Sequence, residues 1–161
     1  MTKFKSLLFI AVLVGFAALA HAGFDDGKAA LDRGDYAKAY KELQVAADQG
    51  NANAQFLLGA MYYDGQGAPQ DYVEAVKWAR KAAEQGFVPA QCALGAAYHE
   101  GQGVPQDDAE AVKWWRKAAE HGETEAQCNL GMMYHGRAQR LRRGIEVVKQ
   151  GGRARNCYCA R

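Results

Sequence analysis

One segment of this chain is written three times at a fixed interval. Ala54-Gln-Phe-Leu-Leu-Gly59-Ala-Met-Tyr62 returns as Ala90-Gln-Cys-Ala-Leu-Gly95-Ala-Ala-Tyr98 and begins again as Ala126-Gln-Cys-Asn-Leu-Gly131-Met-Met-Tyr134, an offset of 36 residues each time. The intervening stretch repeats as well. Gly65-Gln-Gly-Ala-Pro-Gln-Asp71 through Gly86 matches Gly101-Gln-Gly-Val-Pro-Gln-Asp107 through Gly122, with Ala-Val-Lys-Trp and Arg-Lys-Ala-Ala-Glu in both. A looser copy precedes them, where Asp35-Tyr-Ala-Lys-Ala-Tyr to Gly50 lines up with Asp71 to Gly86. A period of this length means units that cannot bury their apolar faces alone and stack to form a continuous core.

Each unit reads as two helices. Ala54, Leu57, Leu58 and Met61 recur at helical spacing, as do Tyr72, Ala75, Val76, Ala79, Ala82 and Ala83. Asp71 with Glu74, and Asp107 with Glu110, place a capping side chain at a helix start and a carboxylate three residues on, against the positive end of the dipole. Gly65, Gly86, Gly101 and Gly122 suit left-handed helix ends. Gly59, Gly95 and Gly131 fall in mid-helix, where glycine costs about 1 kcal/mol against alanine, so close helix–helix approach is expected, with Ala82 and Ala83 as partners. Trp78 and Trp114 occupy equivalent positions and are expected to pack between repeats, while Trp115 replaces Ala79 and signals a local packing change. Cys92 and Cys128 take the place of Phe56 and read as core filling.

The pattern Ala-Gln-x-x-Leu-Gly-x-x-Tyr, then Gly-Gln-Gly-x-Pro-Gln-Asp, then Ala-x-x-Trp-x-x-Lys-Ala-Ala-Glu-x-Gly resembles the Sel-one-like repeat family over residues 24–135. The resemblance implies an all-α fold, an α/α superhelical solenoid related to tetratricopeptide repeats. About three to three and a half helix-turn-helix repeats are expected, near 24–53, 54–89, 90–125 and, in part, 126–135. It also implies an adaptor: members mostly act in protein assembly, envelope signalling and host interaction. Some cysteine-rich relatives are described as penicillin-binding or β-lactamase-like, but they carry paired cysteines within each repeat, whereas Cys92 and Cys128 stand singly.

The flanks differ from the repeat. Lys3 and Lys5 precede an apolar run from Leu7 to Leu19 that ends in Ala20-His21-Ala22, the form of a secretory signal peptide over residues 1–22 with cleavage between Ala22 and Gly23. No cysteine lies at that junction to take a lipid, so a periplasmic or secreted product is expected, without stable membrane insertion. Residues 23–135 hold ten Lys or Arg and seventeen Asp or Glu, a balance of minus seven. Residues 136–161 hold eight Lys or Arg and one acid, and the repeat stops there. The codons allowed for Gly136 to Arg161, shifted by one base, permit Gly-Val-Pro followed by Asp-Tyr-Ala-Glu-Ala-Leu-Lys-Trp and Lys-Ala-Ala-Glu-His-Gly, the missing second half of the repeat. A frameshift after His135 is therefore expected, leaving a disordered basic tail and a helix at 126–135 that exposes Leu130, Met133 and Tyr134. On this reading neither a nucleic-acid-binding arm nor a Cys157-x-Cys159 metal pair is expected.

Little chemistry is available. After Gly23 the chain has no serine, and Thr124 is its single threonine, so a serine acyl-enzyme is excluded. His99 and His135 replace Tyr63 at the ends of successive first helices; two histidines a repeat apart lack a third metal ligand. Asp107 and Asp108 read as helix caps. No catalytic residue, cofactor or metal is expected. The expected partner is another protein or peptide, received on a face marked by Tyr63, His99 and His135; the alternatives are a β-lactamase-like activity and a truncated remnant with little function.

Overall fold

The computed structural model describes residues 23–136 together with 138, 139 and 142. The signal segment 1–22 and nearly all of the basic tail lie outside the described residues. Seven helices and no strand occur among the described residues: 23–32 (α1), Tyr36–Asp48 (α2), Ala52–Asp64 (α3), Tyr72–Glu84 (α4), Val88–Glu100 (α5), Asp108–Glu120 (α6) and 124–136 (α7). From α2 to α6 each helix packs on the next in sequence. The architecture is the all-α helix-pair stack that the period requires.

Helix boundaries follow the side chains that satisfy free backbone groups. Asp71 Oδ1 accepts from the amides of Val73 and Glu74, and Asp107 Oδ1 from those of Ala109 and Glu110. Asp35 caps α2 in the same way, and Asn51 caps α3 through the Ala54 amide. Phe87, the counterpart of Asn51, supplies no cap, and Pro89 occupies the first turn of α5 instead, where its missing amide costs nothing. First helices thus begin at Ala52 and Val88, two residues before the repeated Ala-Gln. Gly65, Gly86, Gly101 and Gly122 all have positive φ. Asp108 is not a cap: it is the first residue of α6, and its carboxylate meets His99.

The seven-residue loop between paired helices is closed from within. The Asp71 amide donates to Tyr62 O, and the Gln70 side chain to Tyr63 O at 2.7 Å; Asp107 and Gln106 do the same with Tyr98 O and His99 O. Gly67 and Gly103 have φ of 75° and 70°, and a Cβ at either would collide with the carbonyl oxygen of Tyr36 or Tyr72, at the start of the preceding repeat's second helix. The Gly-Gln-Gly turn is therefore a contact between repeats as well as a turn.

Three core clusters follow one another along the stack, each crossing a repeat junction. Leu43, Ala46 and Ala47 of α2 meet Ala54, Leu58 and Met61 of α3 and Trp78 of α4. Val76, Ala82 and Ala83 of α4 meet Ala90 and Leu94 of α5 and Trp114 of α6. Cys92 of α5 meets Ala111, Trp115 and Ala118 of α6 and Ala126 of α7. Trp78 and Trp114 thus pack against the preceding repeat, as their equivalence suggests, each with a lysine, Lys81 or Lys117, over its outer face.

The mid-helix glycines do mark close approach, but Ala82 and Ala83 are not their partners. A Cβ on Gly59 would lie 3.0 Å from Ala75 O and 3.4 Å from Ala79 N, one to two turns earlier in α4. Ala82 and Ala83 lie further along α4 and cover α5 of the next repeat. Paired helices cross near Gly59, so its backbone meets the middle of α4 and not its end. At Gly95 the space is filled by the Trp115 indole, and at Gly131 nothing lies within 4 Å. In α7, Leu130 and Met133 are half-buried against the third cluster; the exposed apolar side chains are Met132 and Tyr134.

These three environments predict a graded series. Gly131→Ala should stabilise by up to about 1 kcal/mol through helix propensity. Gly59→Ala should lose about 1–3 kcal/mol to overpacking against a backbone carbonyl. Gly95→Ala should lose a similar amount and recover part of it when combined with Trp115→Ala. Thermal melts measure all four, and a Gly59→Ala protein as stable as the parent would discard the close-approach account.

Candidate functional site

Two hollows recur at the repeat interval on the side of the stack lined by first helices. The first, about 300 Å³, lies between α3 and α5 over α4. Phe56, Gly59, Ala60 and Tyr63 form one wall, Ala93, Ala96, Ala97 and Glu100 the other, and Ala75, Val76 and Ala79 the floor. The second, about 360 Å³, lies between α5 and α7 over α6: Ala96, His99 and Glu100 face Glu125, Asn129, Met132 and Met133 across Trp115.

Their floors differ by one substitution. Where α4 has Ala79, the first hollow reaches down to bare Gly59; where α6 has Trp115, the indole covers Gly95 and donates from Nε1 to Cys92 O at 3.2 Å. The far walls differ too: α5 lines the first hollow with Ala93, Ala96 and Ala97, whereas α7 lines the second with Asn129, Met132 and Met133. A volume of about 300 Å³ is at the lower end of ligand pockets, room for a few apolar groups and little more.

Tyr63 and His99 each stand at the edge of a hollow. Tyr63 is 44% exposed and packs edge-on against Tyr72 at 5.1 Å, and it lines the first hollow. His99 lines the second, with Nδ1 2.8 Å from Asp108 Oδ1 and its ring 5.6 Å from that of Trp115. His135 is exposed at the end of α7 and accepts at Nε2 from the Gln139 amide. The first two are brought to equivalent places, and His135 lines neither hollow. Among the described residues no group of three or more His, Cys, Asp or Glu is placed to hold a metal ion.

Four segments of the chain match the Sel1 repeat: residues 17–51, 52–87, 88–123 and 124–158. The chain belongs to the Sel1 repeat family. Its first match starts inside the expected signal segment, and its fourth runs across the point where the letter-for-letter repetition stops. Among solved structures, it is similar to a protective antigen of uropathogenic Escherichia coli strains that displays an SLR fold, with 42% identity and a TM-score of 0.68 over 71% of this chain and 26% of that one. A Sel1 repeat protein from Oxalobacter formigenes gives 38% identity and 0.64 over 66% of this chain and 44% of that one. The Helicobacter pylori cysteine rich protein B gives 27% and 0.55 over 58% and 69%. This chain thus spans less than half the length of the first two. Comparison with curated proteins gives no match.

Sel1 signature residues that carry no obvious chemistry prove to be junction contacts. The Gln55, Gln91 and Gln127 amides donate to the carbonyls of Ala47, Ala83 and Ala119, near the end of the preceding second helix. The tyrosines of the same motif are held from that helix too: Tyr62 by the Tyr40 hydroxyl, Tyr98 by Arg80 and Tyr134 by Arg116. The shared hydrogen bond with Tyr40, together with burial, pushes the Tyr62 hydroxyl up to about 12. Their strict periodicity was the available signal; pairing across 8 to 22 residues was not visible in it.

The cysteines part company. Cys92 is buried, and burial pushes its thiol up to about 11, whereas Cys128 at the equivalent position is exposed and does not fill a core; both are free thiols. The difference arises because Cys92 is roofed by α6 and α7, while nothing described beyond α7 covers Cys128. At pH 8 only about a thousandth of Cys92 is thiolate, the reactive form. Iodoacetamide applied to the native protein should therefore modify Cys128 and spare Cys92 until urea is added; peptide mass mapping that finds equal labelling would refute the burial difference.

Proposed function

We propose that this chain is an exported docking module of the bacterial cell envelope, which receives another protein along its first-helix side and performs no reaction of its own. The observation that carries this reading is the recurrence of an open hollow, with Tyr63 or His99 at its edge, at successive repeats. A solenoid presents such positions at regular intervals, which suits an extended partner better than a single small substrate. Membership of the Sel1 repeat family supports a protein-interaction module. Tyr63, His99 and His135 are the proposed contact residues.

Export rests on the Lys3 and Lys5 charges ahead of the Leu7 to Leu19 run and on the small residues Ala20 and Ala22. Among the described residues no helix is long and apolar enough to cross a membrane. Similarity to an E. coli protective antigen supports a role outside the cytoplasm. The proposed organisation is a leader over 1–22, a solenoid over 23–135 and a basic tail over 136–161 produced by a frame change after His135. The permitted codons favour that change, while the fourth family match, running to residue 158, favours continuous reading; the DNA sequence across codon 135 separates the two.

Two experiments test the module. When expressed with its own leader, the protein is expected in the periplasmic or culture fraction with Gly23 as its first residue; a cytoplasmic product retaining Met1 would rule out export. The triple substitution Tyr63→Ala, His99→Ala, His135→Ala should reduce capture of envelope proteins by the immobilised chain at least several-fold while leaving helicity unchanged. Equal capture would remove these three residues from the contact face.

A further inference from the structure

We infer that the occupant of the hollows is a peptide segment with two apolar side chains on either side of a lysine or arginine, the apolar groups entering the two hollows and the cation meeting Glu100. This rests on the docking reading above and adds the chemistry of the partner. Glu100 is the one residue at the end of α5 that lines both hollows together with Ala96, so it stands on the wall they share. It is the only charged side chain lining the first hollow, and Glu125 joins it in the second.

Neither carboxylate has an ion-pair partner among the described residues. The lysines and arginines of the floor helices are engaged elsewhere. Lys77 and Lys113 pair with Glu74 and Glu110 on the exposed first turns of α4 and α6. Arg80 and Arg116 hold the Tyr98 and Tyr134 hydroxyls across the junctions, and Lys81 and Lys117 lie over the Trp78 and Trp114 rings. Among the described residues no lysine or arginine lines either hollow. Within residues 23–135, the repeats that form the hollows, seventeen acids stand against ten Lys or Arg, the same sign as the rim, while the eight Lys or Arg of residues 136–161 follow the last of them in sequence. At the hollows an acidic peptide meets Glu100 and Glu125 with no lysine or arginine among the described lining residues beside them, and a neutral one leaves that charge unmatched. A basic residue between apolar neighbours matches both the lining and the field.

The test uses the full chain and fluorescein-labelled probe peptides in which two leucines flank one lysine, with alanine spacers lengthened one residue at a time. Matched probes replace lysine by glutamate, or both leucines by alanine. Fluorescence anisotropy at low salt should show the leucine–lysine probe of best length binding about tenfold more tightly than its glutamate counterpart, the gap narrowing as salt is added, and the leucine-free probe binding weakly. Ala79→Trp copies the residue that the next repeat carries at position 115 and fills the first hollow over Gly59, so it should weaken the leucine–lysine probe at least tenfold. Glu100→Lys, at an exposed helix end, should reverse the charge preference. If leucine probes of either charge bind alike and Ala79→Trp weakens both, the hollows dock peptides but the cationic partner is wrong. If no probe responds to Ala79→Trp, the hollows are not the docking site and both readings fall.

Discussion

The hydrogen bond from a first-helix glutamine to the end of the preceding second helix is what makes a row of helix pairs into one body. The last carbonyls of a helix lack partners further along the helix; Ala47 O and Ala83 O accept locally from the Gly50 and Gly86 amides, and the glutamine of the next repeat is a second donor to the same oxygen. Gln55 meets Ala47 O at 3.1 Å and Gln91 meets Ala83 O at 3.2 Å, both in buried positions. Because the donor belongs to one repeat and the acceptor to the previous one, the contact fixes the step between them. The second amide atom shows how closely the system is tuned. Gln55 Oε1 accepts from Gln85, but position 121, the counterpart of 85, is histidine, and Gln91 Oε1 is buried without a partner. At this junction one acceptor is unmet while the bond to Ala83 O is kept.

Within a repeat the corresponding constraint is the glycine. Its missing side chain lets the paired helices touch, and the residue facing it then decides what the surface becomes. With Ala79 opposite, the glycine lies at the bottom of an apolar hollow; with Trp115 opposite, the same backbone position is covered and the hollow acquires an indole floor. Scaffold and surface are thus written by different letters of the same repeat. That separation allows a stack of near-identical units to present different pockets in series without altering the step that holds them together.

Much of this was legible in the sequence, because a period forces equivalent residues into equivalent places. Helix pairing, the Asp71 and Asp107 caps, the left-handed glycines and the inter-repeat packing of Trp78 and Trp114 all follow from spacing and residue type. What could not be read was direction. Ala82 and Ala83 are small and lie on the helix paired with that of Gly59, yet they face α5, since periodicity tells which residues share a face but not which neighbour that face meets. The place of Asp108 beside Asp107 suggests a cap, but its partner is His99, nine residues earlier and on another helix. The hollows themselves leave no mark in any single repeat, since each is built from three helices of two.

Among the described residues, equivalence also fails at the last helix, α7. Gln127, Cys128 and Gly131 are letter-for-letter counterparts of Gln91, Cys92 and Gly95, but the Gln127 bond lengthens to 3.4 Å in an exposed setting, Cys128 is uncovered, and no atom approaches Gly131. Identical residues thus differ in burial, reactivity and tolerance of substitution because those properties belong to the junction and not to the repeat. Among the described residues, Met132 and Tyr134 of α7 are the large apolar side chains left exposed there. Residues past α7, in whichever frame they are read, bear on the solenoid chiefly through whether they cover those side chains. Met132 belongs both to the second hollow and to this exposed pair, since it lines that hollow beside Glu125 and is also an exposed apolar residue of α7.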